Sequence, residues 1–372
     1  MNAFTSLHAV LRAHLQGDAA ALDAALEQVS ARDLCAHATR HKCAALLFEA
    51  AMSARARSTQ ARTIIQSLKS QMATFTLDAQ MTREQLGGIV TSLRAANVPF
   101  ALLKSAGRLY AGDVLAERTQ TFDIDVLVPR SASAPCIEAL RGAGYDYEYE
   151  RHAAGYMKYH HHLAPLRHPA FRKALEVHVA LTPPESFSLR SDWGAMEPDM
   201  EWIDGTAGQA RRLNATGRAW HMALHGATLY RLGDAVQIAI EALRSDRTIV
   251  RTLFERTLGE HTSRIPLQAV LCVAADLAGV TVPQADDARK YAGWAFVRED
   301  LPRVLRNRAQ LIDAWYANGC SARGPATRLA FPQTYSHNGE GIPFPRRARA
   351  IAGLAFAAAA IAMNAPLRAQ RP

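Results

Sequence analysis

The sequence predicts an α/β (α+β) protein, a small mixed β-sheet core flanked by helical regions at both ends of the chain. Three observations point there. Residues Phe122–Val128 alternate polar and apolar and pass into a β-branched run closed by Pro129, which is a strand signal. The segment Ala174–Leu181, reading ALEVHVAL, is strand-like in the same way. On either side, apolar residues recur at helical spacing over long stretches. The boundaries drawn from this are an N-terminal helical region at 1–98, a mixed core at 99–184 and a C-terminal helical region at 185–372.

Taken in order, Leu7, Val10, Leu11 and Leu15 form a first helical stripe that stops at Gly17-Asp18. Leu22, Leu26 and Val29 continue the pattern, and Ala44–Met52 is a further apolar stripe. Thr59–Ala96 has no proline, only Gly87-Gly88 as punctuation, and ends at Asn97-Val98-Pro99. The core opens with a strand at Phe100–Leu103, a small-residue turn at Lys104–Gly107 and a helix over Ala106–Leu115. After the strand at Phe122–Val128, Ser131–Pro135 starts a helix whose inner face is Ile137, Leu140 and Ala143, closed by Gly142 and Gly144. Tyr145–Arg151 alternates as a half-exposed strand, Lys158–Leu166 should pair beside it, and Leu175–Leu181 follows. From Thr182-Pro183-Pro184 a connector begins, and the residues up to Asp204 carry no decisive pattern. Thr216–Ser245 is strongly helical, with further helices at Ser245–Leu258, Ile265–Leu277, Ala285–Glu299 and Val304–Trp315.

Composition narrows the classes. Of 372 residues, 49% are apolar, enough for a substantial core, and the net charge of +9 favours polyanionic partners. The five cysteines form no C-x-x-C pair, which reads as reduced thiols in a cytoplasmic protein and excludes a disulfide frame. The N-terminus lacks the basic start and unbroken apolar core of a secretory signal. Near the end, Ala350–Met363 is almost wholly apolar but shorter than the about 18 residues that span a bilayer. A buried helix or a homodimer contact is expected there, with a basic-flanked membrane-surface helix as the alternative.

The chemistry concentrates in the core. On a strand, Asp123 and Asp125 share one face while Ile124 takes the other. Two neighbouring carboxylates repel, and a hard divalent cation resolves the repulsion; Mg²⁺, with Mn²⁺ as alternative, binds one or two carboxylates plus substrate phosphates. Glu176 and His178 share a face of the second strand, so a third carboxylate can join the pair. The turn at Lys104, Ser105 and Gly107 follows a short strand and opens a helix, a geometry that offers backbone N–H groups to phosphate. A phosphate cradle, a D-x-D and a distant carboxylate suit phosphoryl or nucleotidyl transfer. Taken alone, a D-x-D is often no more than a solvated strand face.

LLKSAGRLY, Arg118, DIDVLV, GAGY at Gly142–Tyr145, HHHLAPL and LEVHVAL together resemble uncharacterised bacterial nucleotidyltransferase-like proteins of the polymerase-β-type superfamily. The resemblance is good over 90–182 and looser in the flanking helices, and the chain carries Ser105 where that family usually has glycine. It implies transfer of a nucleotidyl group from a nucleoside triphosphate such as ATP to an unidentified acceptor, which a small molecule, a protein or RNA could supply. In that reading Asp123, Asp125 and Glu176 hold the metal, and Lys104, Ser105 and Arg118 lie against the nucleotide. Glu176 completes a second metal site or accepts the acceptor's proton, while His178 binds phosphate, orients a carboxylate or acts as acid or base. His225, Arg231 and Asp234 resemble the helical half of the same family, with Arg231 and Asp234 expected on one helical face and Arg231 aimed at phosphate.

Other polar clusters are weaker signals. His160 and His162 fall on one strand face and could line the site. His221 and His225 are spaced like zinc ligands, but no H-E-x-x-H pattern follows. Arg40, His41, Lys42, Arg55, Arg57 and Arg62 could border an anionic groove, although such residues ordinarily sit on solvated helix faces. Two other functions fit the same features: an RNA-binding or toxin–antitoxin component, and an inactive accessory protein of a biosynthetic cluster.

Overall fold

A computed structural model describes residues 3–117, 121–148, 161–182, 187–229, 231–260, 263–282 and 286–295. Five helices open the chain: α1 (Ala3–Gln16), α2 (Ala19–Leu26), α3 (Ala31–Arg40), α4 (Ala44–Ala54) and α5 (Thr59–Ala95). Their starts are written locally, since Asp18, Ser30 and Ser58 each accept a backbone N–H three residues on. The 37-residue α5 is a spine. Its first half buries Ile64, Leu68, Met72 and Phe75 in a helical core, and its second half buries Leu86, Ile89, Val90 and Leu93 under the sheet.

Seven strands make one mixed sheet: β1 (Ala101–Leu102), β2 (Asp123–Leu127), β3 (Asp146–Tyr147), β4 (Leu166–Arg167), β5 (Ala174–His178), β6 (Met200–Gly205) and β7 (Gly208–Leu213). Their order is β3-β4-β5-β2-β1-β7-β6, with β2 parallel to β5 and β1 parallel to β7. Between the early strands lie α6 (Lys104–Tyr110), α7 (Val114–Glu117) and α8 (Ser133–Gly142). After α9 (Trp193–Met196), the helices α10 (Ala215–Leu229), α11 (Leu232–Arg244), α12 (Thr248–Arg256), α13 (Arg264–Ala278) and α14 (Asp286–Ala295) complete the described chain.

Ile124, Val126, Leu175 and Val177 turn one face of the sheet into the core under α5 and α8. Leu7, Leu34 and Leu47 from the N-terminal helices share the other core with Trp220, Leu224 and Leu267 from the C-terminal ones.

The structure departs from the sequence reading in three places. The sheet does not end by residue 184, because the hairpin β6–β7 adds two strands through β1. The helical run at 216–245 breaks at Arg231, whose ψ of 131° is extended, so His225 and Asp234 sit on different helices. The expected helix Ala106–Leu115 begins instead at Lys104 and ends at Tyr110, before Gly112 with φ 75°. Among the described residues no helix is long and apolar enough to cross a membrane. Arg118, His160, Val304–Trp315 and Ala350–Met363 lie outside the described residues.

Candidate active site

β2 and β5 run side by side with Asp123 opposite Ala174, Asp125 opposite Glu176 and Leu127 opposite His178. Alternation therefore sends Asp123, Asp125, Glu176 and His178 out of one face of the sheet. The apolar residues between them fix this register, because a one-residue slip would turn the carboxylates into the core under α5.

Asp125 is the hub of the cluster. Its Oδ1 accepts a hydrogen bond from His178 Nε2 at 2.8 Å and another from Lys104 Nζ at 3.0 Å. Glu176 Oε2 lies 3.6 Å from the same His178 nitrogen and 3.8 Å from His162 Nε2. His162 Nδ1 donates to the Leu163 carbonyl at 2.8 Å, which leaves its Nε2 turned to Glu176. The Asp125 and His178 side chains are only 2% and 1% exposed, so these charges are settled by each other rather than by water.

The titration behaviour follows from those contacts. Burial opposes charge on Asp125, but Lys104 and His178 outweigh it and hold the carboxyl well below its ordinary range. Glu176 is also held low against burial, by the neighbouring His178 and His162 imidazoles. Burial would lower the pKa of His178, yet the two carboxylates keep its proton and raise it. Asp123 moves the other way, raised by burial and by the charge of Asp125. His161 and His221, packed nearby, are pushed well below the ordinary histidine value by burial and stand neutral.

Lys104 reaches Asp125 because of an unusual turn. It has φ 47°, left-handed for a residue with a side chain, and follows Leu103, whose N–H donates to the Asp125 carbonyl at 3.0 Å. The first residue of α6 is thereby carried directly over the D-x-D strand.

A cavity of about 490 Å³ opens above this face. The sheet side contributes Lys104, Ser105, Asp123, Glu176 and His178, and the helical side contributes Arg231, Asp234 and Lys42. Arg231 thus faces the same space as Asp123. Asp234, however, is paired not with Arg231 but with His225, whose Nδ1 lies 3.1 Å from Asp234 Oδ1. The helix break at Arg231 is the reason, since it removes the common helical face.

Lys42, for which the sequence offers an anionic groove or a solvated face, reaches the cavity from the turn between α3 and α4. One group went unread in the sequence, a buried polar seam in the cavity wall. There Arg218 binds Glu241 with two hydrogen bonds of 2.9 and 2.8 Å, and Arg108 bonds Gln237 and Asp113. No periodic pattern marks these residues, which come together only because α6, α10 and α11 converge.

Asp125 Oδ1, Glu176 Oε2 and His178 Nε2 are of the kind that bind divalent cations, and ligand atoms of these three residues all lie within 4.8 Å of one another. No curated protein and no solved structure matches the chain. A family described as uncharacterised nucleotidyltransferase matches residues 27–279, which takes in the sheet, the carboxylate cluster and both walls of the cavity, and the chain belongs to that family.

Proposed function

We propose that the protein transfers a nucleotidyl group from a nucleoside triphosphate to an acceptor nucleophile, with a divalent cation held at Asp125, Glu176 and His178. The observation that supports this most is the convergence of those three donors on paired strands below a cavity that Lys104 and Ser105 also line. The donor set fits a cation, since two carboxylates and an imidazole converge there, and a bound cation would take the place of the His178 Nε2 proton that the carboxylates otherwise hold. Mixed oxygen and nitrogen donors suit Mn²⁺ as well as Mg²⁺. When bound, the cation neutralises phosphate charge and polarises the reacting phosphoryl group.

The chain's own groups divide the remaining work. The acceptor's oxygen or nitrogen bonds to the α-phosphorus, the bond from that phosphorus to the bridging oxygen breaks, and pyrophosphate leaves with the electron pair. Asp123 lines the cavity beside Asp125 and stands outside the cation's ligand set, so it is the carboxylate disposed to take the acceptor's proton. Lys104 holds one Asp125 oxygen and brings a fixed positive charge to the phosphates. The test is incubation of the protein with each α-labelled nucleoside triphosphate, Mg²⁺ or Mn²⁺ and cell extract. A labelled product that needs Asp125 supports transfer; with no product from any of the triphosphates, the reading fails.

A further inference from the structure

Lys42 enters the cavity from a part of the chain that the sheet does not include. It has φ 57°, a left-handed backbone uncommon for any residue but glycine. Its turn is clamped onto the start of α11, where the Gly233 N–H donates to the His41 carbonyl at 2.9 Å and the Leu232 N–H to His41 Nδ1 at 3.3 Å. A Cβ at Gly233 would stand 2.5 Å from that carbonyl, so glycine alone lets the two segments meet. The clamp brings Lys42 close to Arg231, the residue immediately before α11, and both side chains line the cavity.

Among the described residues neither cation forms an ion pair. Lys42 Nζ lies instead 4.9 Å from the centre of the Phe122 ring, which is itself 60% exposed in the cavity wall. Burial and Arg231 together lower the lysine's pKa, against the weaker pull of Asp234 and Asp123. Nearby Lys104 adds to that repulsion. The carboxylates of Asp234 and Asp123 offset these like charges only in part and pair with neither Lys42 nor Arg231, so the cations gathered by fixed backbone still repel and an anion can join them. A single carboxylate would satisfy one such cation. Several together fit a chain of phosphates.

We infer that Lys42 and Arg231 form a polyphosphate subsite that takes the pyrophosphoryl end of the nucleoside triphosphate and then the departing pyrophosphate. The nucleotide identity of that ligand rests on the transfer reading above; the polyphosphate site itself does not. The N-terminal helices then supply part of the binding machinery rather than only a support.

Calorimetric titration of the full-length protein in Mg²⁺ buffer tests it, with inorganic tripolyphosphate and adenosine monophosphate as probes. Lys42→Gly is the informative variant, because glycine accepts the positive φ and keeps the turn; its melting temperature should equal or exceed that of the wild type. Lys42→Gly should weaken tripolyphosphate binding roughly tenfold or more, with adenosine monophosphate binding unchanged and Lys42→Arg retaining most affinity. Equal tripolyphosphate affinity in wild type and Lys42→Gly overturns the inference, as does a wild type that binds no tripolyphosphate. Parallel loss of adenosine monophosphate binding would show a distorted cleft and overturn it too. Lys42-dependent tripolyphosphate binding without nucleotidyl transfer leaves the subsite standing and removes the transfer reading. Transfer with Lys42-independent binding removes the subsite alone.

Discussion

Asp123 and Asp125 are two residues apart on one strand, yet their surroundings give them opposite energetics. Asp125 is nearly inaccessible and accepts hydrogen bonds from two cations, Lys104 and His178. In Asp125→Asn one acceptor oxygen remains but the charge does not, leaving those cations facing a neutral amide. Removing one partner of a buried pair costs about 3–5 kcal/mol, and the retained oxygen should bring the loss to the lower part of that range. Asp123→Asn should behave in the opposite way. A carboxyl with a raised folded pKa contributes stability below its unfolded value of 3.8 and loses it as pH rises through the folded value. At neutral pH the amide therefore relieves repulsion and the variant should be at least as stable as wild type. Urea denaturation of the two variants checks the contrast; equal destabilisation would refute Asp125 as the hub. His178 extends the argument to pH. Its raised pKa means that its contribution is complete below 6.5 and fades above, whereas those of Asp125 and Glu176 fade on acidification from 3.8 and 4.5. In chelator-treated protein the cluster should stabilise most between 4.5 and 6.5. The stability gap between wild type and His178→Gln should then narrow as pH rises past 6.5. A gap independent of pH would show that His178 carries no proton for Asp125.

At the scale of elements, the seat of α6 decides where Lys104 points. A Cβ on Gly107 would lie 2.9 Å from the Leu102 carbonyl oxygen and 3.0 Å from Arg212 Cβ, so the helix packs on β1 and β7 only through glycine. Gly107→Ala should cost about 1–3 kcal/mol by overpacking. Because α6 begins at Lys104, the same variant should also lose phosphate affinity. Gly88→Ala in α5 is the control: nothing lies within 4 Å, and removing glycine from an exposed helix interior should stabilise by about 0.5–1 kcal/mol. Paired thermal melts and tripolyphosphate titrations separate the two, and a Gly107→Ala protein that matches wild type in both would dismiss the close seat. These elements also show what the sequence could disclose. β2 and β5 were legible because a two-residue period with one apolar face admits only one register, and that register places Asp125 beside Glu176. The hairpin β6–β7 was not, because β7 reads GQARRL, with no β-branched residue, and gains its place by pairing with a distant strand. The break at Arg231 was hidden for a related reason: no proline marks it, and Gly233 is spent on a tertiary contact with His41. Lys42 was legible only as one member of a basic cluster that could border a groove or face solvent, since helical periodicity says nothing about which helix end meets which sheet.

At the scale of the whole molecule, the cleft is formed by parts of the chain that are far apart in sequence. Leu7, Leu11, Leu34 and Leu47 from the first helices belong to the same buried cluster as Trp220, Leu224, Leu253 and Leu267. The sheet is inserted between the two ends of that helical body, and α5 joins both cores. The polar seam ties them again, since Glu241 of α11 takes both hydrogen bonds from Arg218 while α6 reaches the same seam through Arg108. An N-terminal truncation therefore tests the architecture directly. Removing residues 1–58 would strip α1–α4 from the cluster and expose the face of α13 that α1 covers and the start of α11 that the His41 turn clamps. Each large aliphatic side chain uncovered forfeits about 1.5–3 kcal/mol, and the helices carry many of them, more than the marginal stability of a domain can absorb. The truncated chain should thus aggregate or melt without cooperativity, rather than retain a folded sheet with a missing wall. The intact protein, by the same logic, should lose its near-ultraviolet and far-ultraviolet circular dichroism in one coincident transition. A truncated chain that keeps a sharp melt, or an intact chain whose helical body and sheet unfold separately, would mean that the two ends do not hold each other. The cleft would then have to be preserved by the sheet and the seam alone.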